Sequence, residues 1–170
     1  MTRSVFFSFH YQRDIFRVNV VRNHFLTKQG YISAGYWDHS LWEKFKRDGD
    51  LALKRLINKG LENTSVTVVL IGAATANRKW VDYEIEKSYE RGNAMLGIYI
   101  HNIPSINGFR DSKGLNPFDY YTVEQKGKYS YFASNHVPLS NYYPTYDWVQ
   151  DNGYNNFSKW VEYAARAVGK

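Results

Sequence analysis

Glu84 follows Trp80 by four positions in the segment Trp80-Val81-Asp82-Tyr83-Glu84. On a helix that spacing puts an aromatic ring and a carboxyl group on one side. At about 100° per residue the inward stripe of such a helix runs through Val81, Ile85, Ser88 and Tyr89. Glu84 borders that stripe, whereas Glu86 turns further toward solvent. Glu84 is therefore the acid of this segment expected to be partly desolvated. Burial would bias its proton affinity and hold it still, as catalysis requires. From spacing alone, an ordinary helical glutamate beside a core tryptophan is the commoner occurrence, because burial statistics for Glu are all that decides the matter.

A carboxylate needs a cleft, and the order of elements indicates where one would lie. Val5–Phe9 reads as a buried strand and Asp14 to about Lys28 as a helix ended near Gly30. Ile32–Trp37 reads as a second strand, and Asp48–Asn58, stopped by Gly60, as a second helix. Ser65–Ile71 is apolar on both faces, as a central parallel strand should be. Thr75 or Asn77 can cap a helix running to Arg91, and Ala94–Ile100 is another buried strand. This β-α-β-α-β-α-β order predicts a flavodoxin-like, doubly wound α/β sheet, mostly parallel, with helices on both faces. Residues 101–144 hold all four prolines and no sustained period. They read as a long irregular excursion before a closing helix over Phe157–Val168. The whole chain, 1–170, is expected to be one domain.

In such sheets ligands bind beyond the carboxyl ends of the strands. Three segments should meet there: Ser8–Arg13, Trp37–Trp42 and Gly72–Asn77. They offer Phe9, His10, Tyr11 and Arg13, then Trp37, Asp38, His39 and Trp42. Aromatic rings can stack on a base or a nicotinamide, and Arg13 or Arg17 could meet a pyrophosphate. Phe6, Phe7 and Trp42 are expected in the core, while His10 and Tyr11 divide evenly between core and site.

Composition excludes much else. The chain has 170 residues, of which 44% are hydrophobic and 18% aromatic, enough for a real core and against wholesale disorder. The absence of Cys removes disulfide scaffolds, thiol nucleophiles and Cys-ligated metals. The net charge of +6 is scattered, so it indicates only weak affinity for phosphates, and no basic stripe marks a nucleic-acid face. The longest apolar runs fall far short of the roughly 18 residues of a membrane span. With no leader-like start, the expectation is a soluble cytoplasmic protein without nucleic-acid or membrane partners. Neither G-x-G-x-x-G nor G-x-x-x-x-G-K-[ST] occurs, Ser8 has no G-x-S-x-G elbow, and the His residues lack metal-like spacing. The first strand is too apolar for a phospho-acceptor receiver.

Val5-Phe6-Phe7-Ser8-Phe9-His10-Tyr11 resembles the first box of TIR and TIR-like domains, and Trp80 to Glu84 matches their W-x-x-x-E motif. Further blocks resemble the TIR proteins of the Thoeris antiphage system, the ThsB type. They are Phe16–His24, Ser40-Leu41-Trp42-Glu43, Leu53–Asn58, Asn63–Thr67, Asn116-Pro117-Phe118-Asp119-Tyr120, Tyr146-Asp147-Trp148-Val149 and Gly153-Tyr154-Asn155. The likeness covers most of 3–120 and 145–162; residues 122–144 match nothing. It implies an enzyme that breaks the nicotinamide–ribose bond of NAD+ and recloses the ADP-ribose as a cyclic isomer. NAD+ would be the substrate, with no separate cofactor or metal. The resemblance further implies a phage-derived trigger, self-association, and a separate sirtuin-like NADase effector reached through the diffusible nucleotide. Carried over by motif position, Glu84 is the catalytic carboxylate. Phe9, His10, Tyr11, Arg17, Asp38, Trp80 and Asn116 are carried to the substrate pocket by their place near strand ends. Two other readings remain at this stage. One is a non-catalytic TIR-like assembly module. The other is a different N-glycosidic enzyme, a nucleotide or nucleoside hydrolase or transferase.

Overall fold

The computed structural model describes residues 3–28, 30–34, 37, 39–125 and 135–170. Five strands form one sheet: β1 (Arg3–Phe9), β2 (Tyr31–Ala34), β3 (Val66–Ile71), β4 (Ala94–Tyr99) and, at the edge, β7 (Thr145–Asp147). Their order is β2-β1-β3-β4-β7 and every pairing is parallel. The sheet is therefore the expected doubly wound α/β type, with its topological switch point between β1 and β3. Among the described residues five α-helices accompany the sheet: α1 (Ile15–Leu26), α2 (His39–Asp48), α3 (Asp50–Leu61), α4 (Lys79–Glu90) and, after the last strand, α5 (Gly153–Ala167).

Strand alternation in β1 sets what each side of the sheet receives. Phe7 points to α1 and α5, where its ring meets Phe25 at 5.5 Å and Phe157 at 6.2 Å. Phe6 points the other way, against Trp37 at 6.1 Å and toward Gly60 of α3. A side chain at Gly60 would strike both rings, so the glycine lets α3 come this close to the sheet. Ser8 shares the direction of Phe6, and that is the side on which α4 lies. Val5, Phe6, Phe7, Ser8 and all of β3 are essentially inaccessible.

The structure departs from the expected elements in several places. The helix expected over Asp48–Asn58 is α3, which begins after Gly49, whose φ of 102° only glycine adopts easily, and runs through the expected stop Gly60 to Leu61. Residues 39–47, to which the sequence assigned no element, form α2 with Asp48; it buries Trp42 and half-buries Phe45 while its other residues stay mostly polar. Neither Thr75 nor Asn77 caps α4, which starts only at Lys79. Asn77 sits in the left-handed region at φ 61°, and the Thr75 hydroxyl instead accepts from the Gly72 amide at 2.8 Å. Tyr89, assigned to the inward stripe, is 46% exposed, and Glu84 is buried there with Val81, Ile85 and Ser88.

The excursion has structure of its own. It contains a 3-10 turn at Pro117–Tyr120, an antiparallel pair β5 (Thr122–Gln125) and β6 (Asn135–Pro138), and a second short turn, Leu139–Asn141. Phe118 and Leu139 pack with Val69, Ile71, Val81, Ile85 and Met95, on the face that α4 covers.

Candidate active site

Glu84 reaches the sheet from the middle of α4, and Ser8 reaches α4 from the carboxyl end of β1. The Ser8 hydroxyl donates to Glu84 Oε2 at 2.5 Å, with both groups buried. Glu84 is 4% exposed. Burial pushes its carboxyl up to about 8, and the Ser8 hydrogen bond pulls it back in part. Behind Glu84 the helix is tied to β3: Ser88 donates to the Glu84 carbonyl at 2.6 Å and shares a 2.7 Å hydrogen bond with Thr67. The acid is held from both ends.

A cleft of about 250 Å³ opens one helical turn above Glu84, toward the start of α4. Phe9, His10 and Tyr11 after β1 line it, with Trp42 and Lys46 of α2 and Arg78, Lys79 and Trp80 at the head of α4. It sits beyond the carboxyl end of β1, beside the switch point, where open α/β sheets place ligands. One wall is a ladder of rings. Tyr11 stacks on Phe9 at 4.7 Å and on Trp42 at 4.8 Å, and Trp42 continues to Trp37 at 6.0 Å. The opposite side carries charge. Lys79 is committed to Asp50 and lies 4.9 Å from the Trp80 ring, while Arg78 donates to the Ala74 carbonyl. Burial, Arg78 and Arg13 all push the His10 imidazole down, favouring its neutral form. Planar rings facing cations suit a ligand with an aromatic base and phosphates.

The expected site residues separate into groups. Phe9, His10, Tyr11 and Trp80 line the cleft. Glu84 does not line it; the acid lies one turn beyond Trp80 and beside Ser8, the neighbour of Phe9. Arg17 is buried and donates to the carbonyls of Ile103 at 2.8 Å and Phe109 at 3.1 Å, so it clips the excursion onto α1. Asn116 accepts from the Phe118 amide at 3.1 Å and caps the 3-10 turn there. Asp38 lies outside the described residues. Trp42, expected in the core, is both buried and part of the cleft wall. Sequence reasoning missed Ser8, Lys46, Arg78 and Lys79. Strand parity could have found Ser8, the one hydroxyl in Val5–Phe9. Lys46 could not be placed while its segment had no assigned element. No three His, Asp or Glu side chains gather as a metal site among the described residues.

The description "Thoeris protein ThsB, TIR-like domain" matches residues 6–105, which hold β1 to β4 and Glu84. The chain belongs to this family. A relative from Bacillus cereus (strain MSX-D12), whose name proposes a cyclic ADP-D-ribose synthase, ThsB1, is 49% identical over 191 aligned positions. That alignment covers 95% of this chain and 100% of the relative. In this ThsB-family chain the match takes in both strands and the helix that assemble the acid and its cleft. No described helix is long and apolar enough to cross a membrane.

Proposed function

We propose that this chain cleaves the nicotinamide–ribose bond of NAD+ and recloses the ADP-ribose as a cyclic isomer, with Glu84 as the catalytic carboxylate. The observation that carries the reading is a buried, doubly anchored glutamate one helical turn from an aromatic and cationic cleft. Family membership and the name of the Bacillus cereus relative point the same way.

The chemistry asks little of the protein beyond position. Nicotinamide leaves NAD+ as a neutral molecule when the C1′–N bond breaks and both bonding electrons go to the ring nitrogen. The positive charge moves to the ribose as an oxocarbenium-like centre. No acid has to protonate the leaving group, and no metal is required. A carboxylate against the ribose stabilises the developing charge, most strongly where water is excluded. Reclosure then needs a nucleophile from the adenine end held close and water kept away. Phe9, Tyr11, Trp42 and Trp80 supply apolar walls for that purpose, and Arg78 and Lys46 face the pyrophosphate. Asp38 and Asn116 stay assigned to the wider pocket only by their place near strand ends, while Arg17 is committed to the carbonyls of the excursion. As it stands the cleft is smaller than the roughly 300–1,000 Å³ of pockets that bury drug-sized ligands. Binding of the dinucleotide therefore displaces rings at its floor and opens the way to Glu84.

In this reading the cyclic nucleotide diffuses to a separate effector of the sirtuin-like NADase class, and a phage-derived trigger and self-association govern turnover. Support for those steps is membership of the Thoeris family alone. The decisive test is nicotinamide release from NAD+ by the purified chain, with products separated by mass. Glu84→Gln should abolish release while the fold persists, and Glu86→Gln should retain most of it. Equal behaviour of the two variants overturns the role given to Glu84.

A further inference from the structure

The run Val5-Phe6-Phe7-Ser8-Phe9 is a fully buried strand segment with one hydroxyl in it. Ser8 has 0% exposure and sits opposite Val69 in the β1–β3 register. A buried hydroxyl among apolar neighbours costs stability unless it is hydrogen-bonded, and an apolar side chain would pack there with no such demand. The hydroxyl donates to one atom, Glu84 Oε2, at 2.5 Å, within the range of charge-assisted O–H to carboxylate bonds. No described residue donates to Oε1. We infer that Ser8 is a positioning residue that grips the Glu84 carboxylate by Oε2 and leaves Oε1 as the oxygen that meets the substrate ribose. The inference rests on the reading of Glu84 given above.

The surroundings leave this contact with unusual weight. Burial raises the Glu84 carboxyl, Ser8 lowers it, and among the described residues no ionised group adds to either effect. On β1 the only other ionisable side chain is Arg3, at the opposite end and paired with Glu162. β3 has none. On β4 the sole one is Tyr99, itself pushed up by burial. From α3, Asn58 donates to the Tyr83 hydroxyl and Lys54 lies over the Tyr83 ring. The other ionisable groups of α4 look elsewhere: Lys79 to Asp50, Asp82 toward Tyr121, Lys87 to Glu90, and Glu86 and Tyr89 outward. Orientation and ionisation of the acid thus both pass through one hydroxyl.

The test compares wild type, Ser8→Ala, Ser8→Cys and Glu84→Gln in the intact chain. The Glu84 carboxyl carbon is followed by NMR against pH, its signal assigned by its loss in Glu84→Gln, and nicotinamide release is measured across the same range. Ser8→Ala should move the carboxyl midpoint up by about one unit. The acid limb of kcat should move in the same direction. At pH 7 kcat should fall about tenfold with KM nearly unchanged, because one unit corresponds to a tenfold change in the ionised fraction. Ser8→Cys keeps the shape with a weaker donor, and should fall between. A merely structural serine would lower thermal stability and leave the midpoint in place. An unmoved midpoint and an unmoved limb in Ser8→Ala, with Glu84→Gln inactive, overturn the assignment of Ser8 alone. Full activity in Glu84→Gln overturns the reading of Glu84 instead. If the isolated chain is silent, the carboxyl titration decides by itself: a raised midpoint supports the grip and an unchanged one removes it.

Discussion

The Tyr11 and Trp42 rings lie 4.8 Å apart and within 1° of parallel, on the wall of the cleft. A nicotinamide or adenine ring that takes the place of Tyr11 would adopt that stack on Trp42, whose other face meets Trp37. Base stacking on an aromatic platform is worth about 1–3 kcal/mol by alanine substitution. Trp42→Ala should therefore raise KM for NAD+ roughly tenfold or more, with kcat changed much less. Trp42→Phe keeps a ring and should stay near wild type. Steady-state kinetics on folded variants, checked by thermal melts, decides it. A fall in kcat at constant KM would take Trp42 out of the ligand platform.

Glu84 also makes stability depend on pH. Its carboxyl lies at about 8 in the folded chain against 4.5 for the free group. A raised acid means the folded state disfavours the charged form. The stability tied to the neutral acid is complete below about pH 4.5 and is lost as pH rises through about 8. Each unit of difference corresponds to about 1.4 kcal/mol. Glu84→Gln removes the titration, so its melting temperature should gain on wild type steadily between pH 5 and 8 and level off above that. Parallel melting curves across that range would show that Glu84 is not buried in solution.

The two observations show what was legible in the chain. The order of strands and helices could be read because β3 and β4 are continuous apolar runs and α4 and α5 carry strong 3.6-residue patterns. Glu84 could be singled out because helix periodicity places it beside the buried stripe. Its full burial could not be read, because that depends on Ser8, 76 positions away. The α2 helix escaped because His39–Asp48 is mostly charged, and its apolar face has only Trp42 and Phe45 at its centre. The contacts of Arg17 were hidden for a different reason. A basic residue one turn into a helix near the strand ends looks like a phosphate ligand, and nothing local reveals that distant carbonyls occupy it.

Asp14 gives a second pH dependence with its own window. It is 1% exposed at the head of α1, its carboxyl against Gly72 at the end of β3, where even a Cβ would collide with it. Desolvation lifts the carboxyl to about 6, against the pull of Arg13 and Arg17. By the same sign, the stability tied to its neutral form is complete below pH 4 and is lost as pH rises through about 6. Asp14→Asn should gain on wild type by about 2 kcal/mol between pH 4 and 7 and no further above that. The Glu84→Gln difference keeps growing to about pH 8, so chemical denaturation of each variant at several pH values separates the two acids.

Arg17 offers a direct contrast between holding substrate and holding the fold. Its guanidinium is buried and committed to two backbone carbonyls of the excursion, Ile103 and Phe109, so it is not placed to face the cleft. Removing a charged donor from buried carbonyls costs about 1–3 kcal/mol. For a chain of this size that is a fall of roughly 3–10 °C in melting temperature. Arg17→Lys should suffer nearly as much, because one ammonium cannot reproduce the fork that spans both carbonyls. In both variants amide exchange should speed up over residues 101–111, where the clip is lost. KM for NAD+ should stay within about twofold of wild type at temperatures where the variants remain folded, because no bond from Arg17 to the phosphates is lost. A large rise in KM with unchanged exchange over 101–111 would instead return Arg17 to the pyrophosphate and require the clip to open when substrate binds.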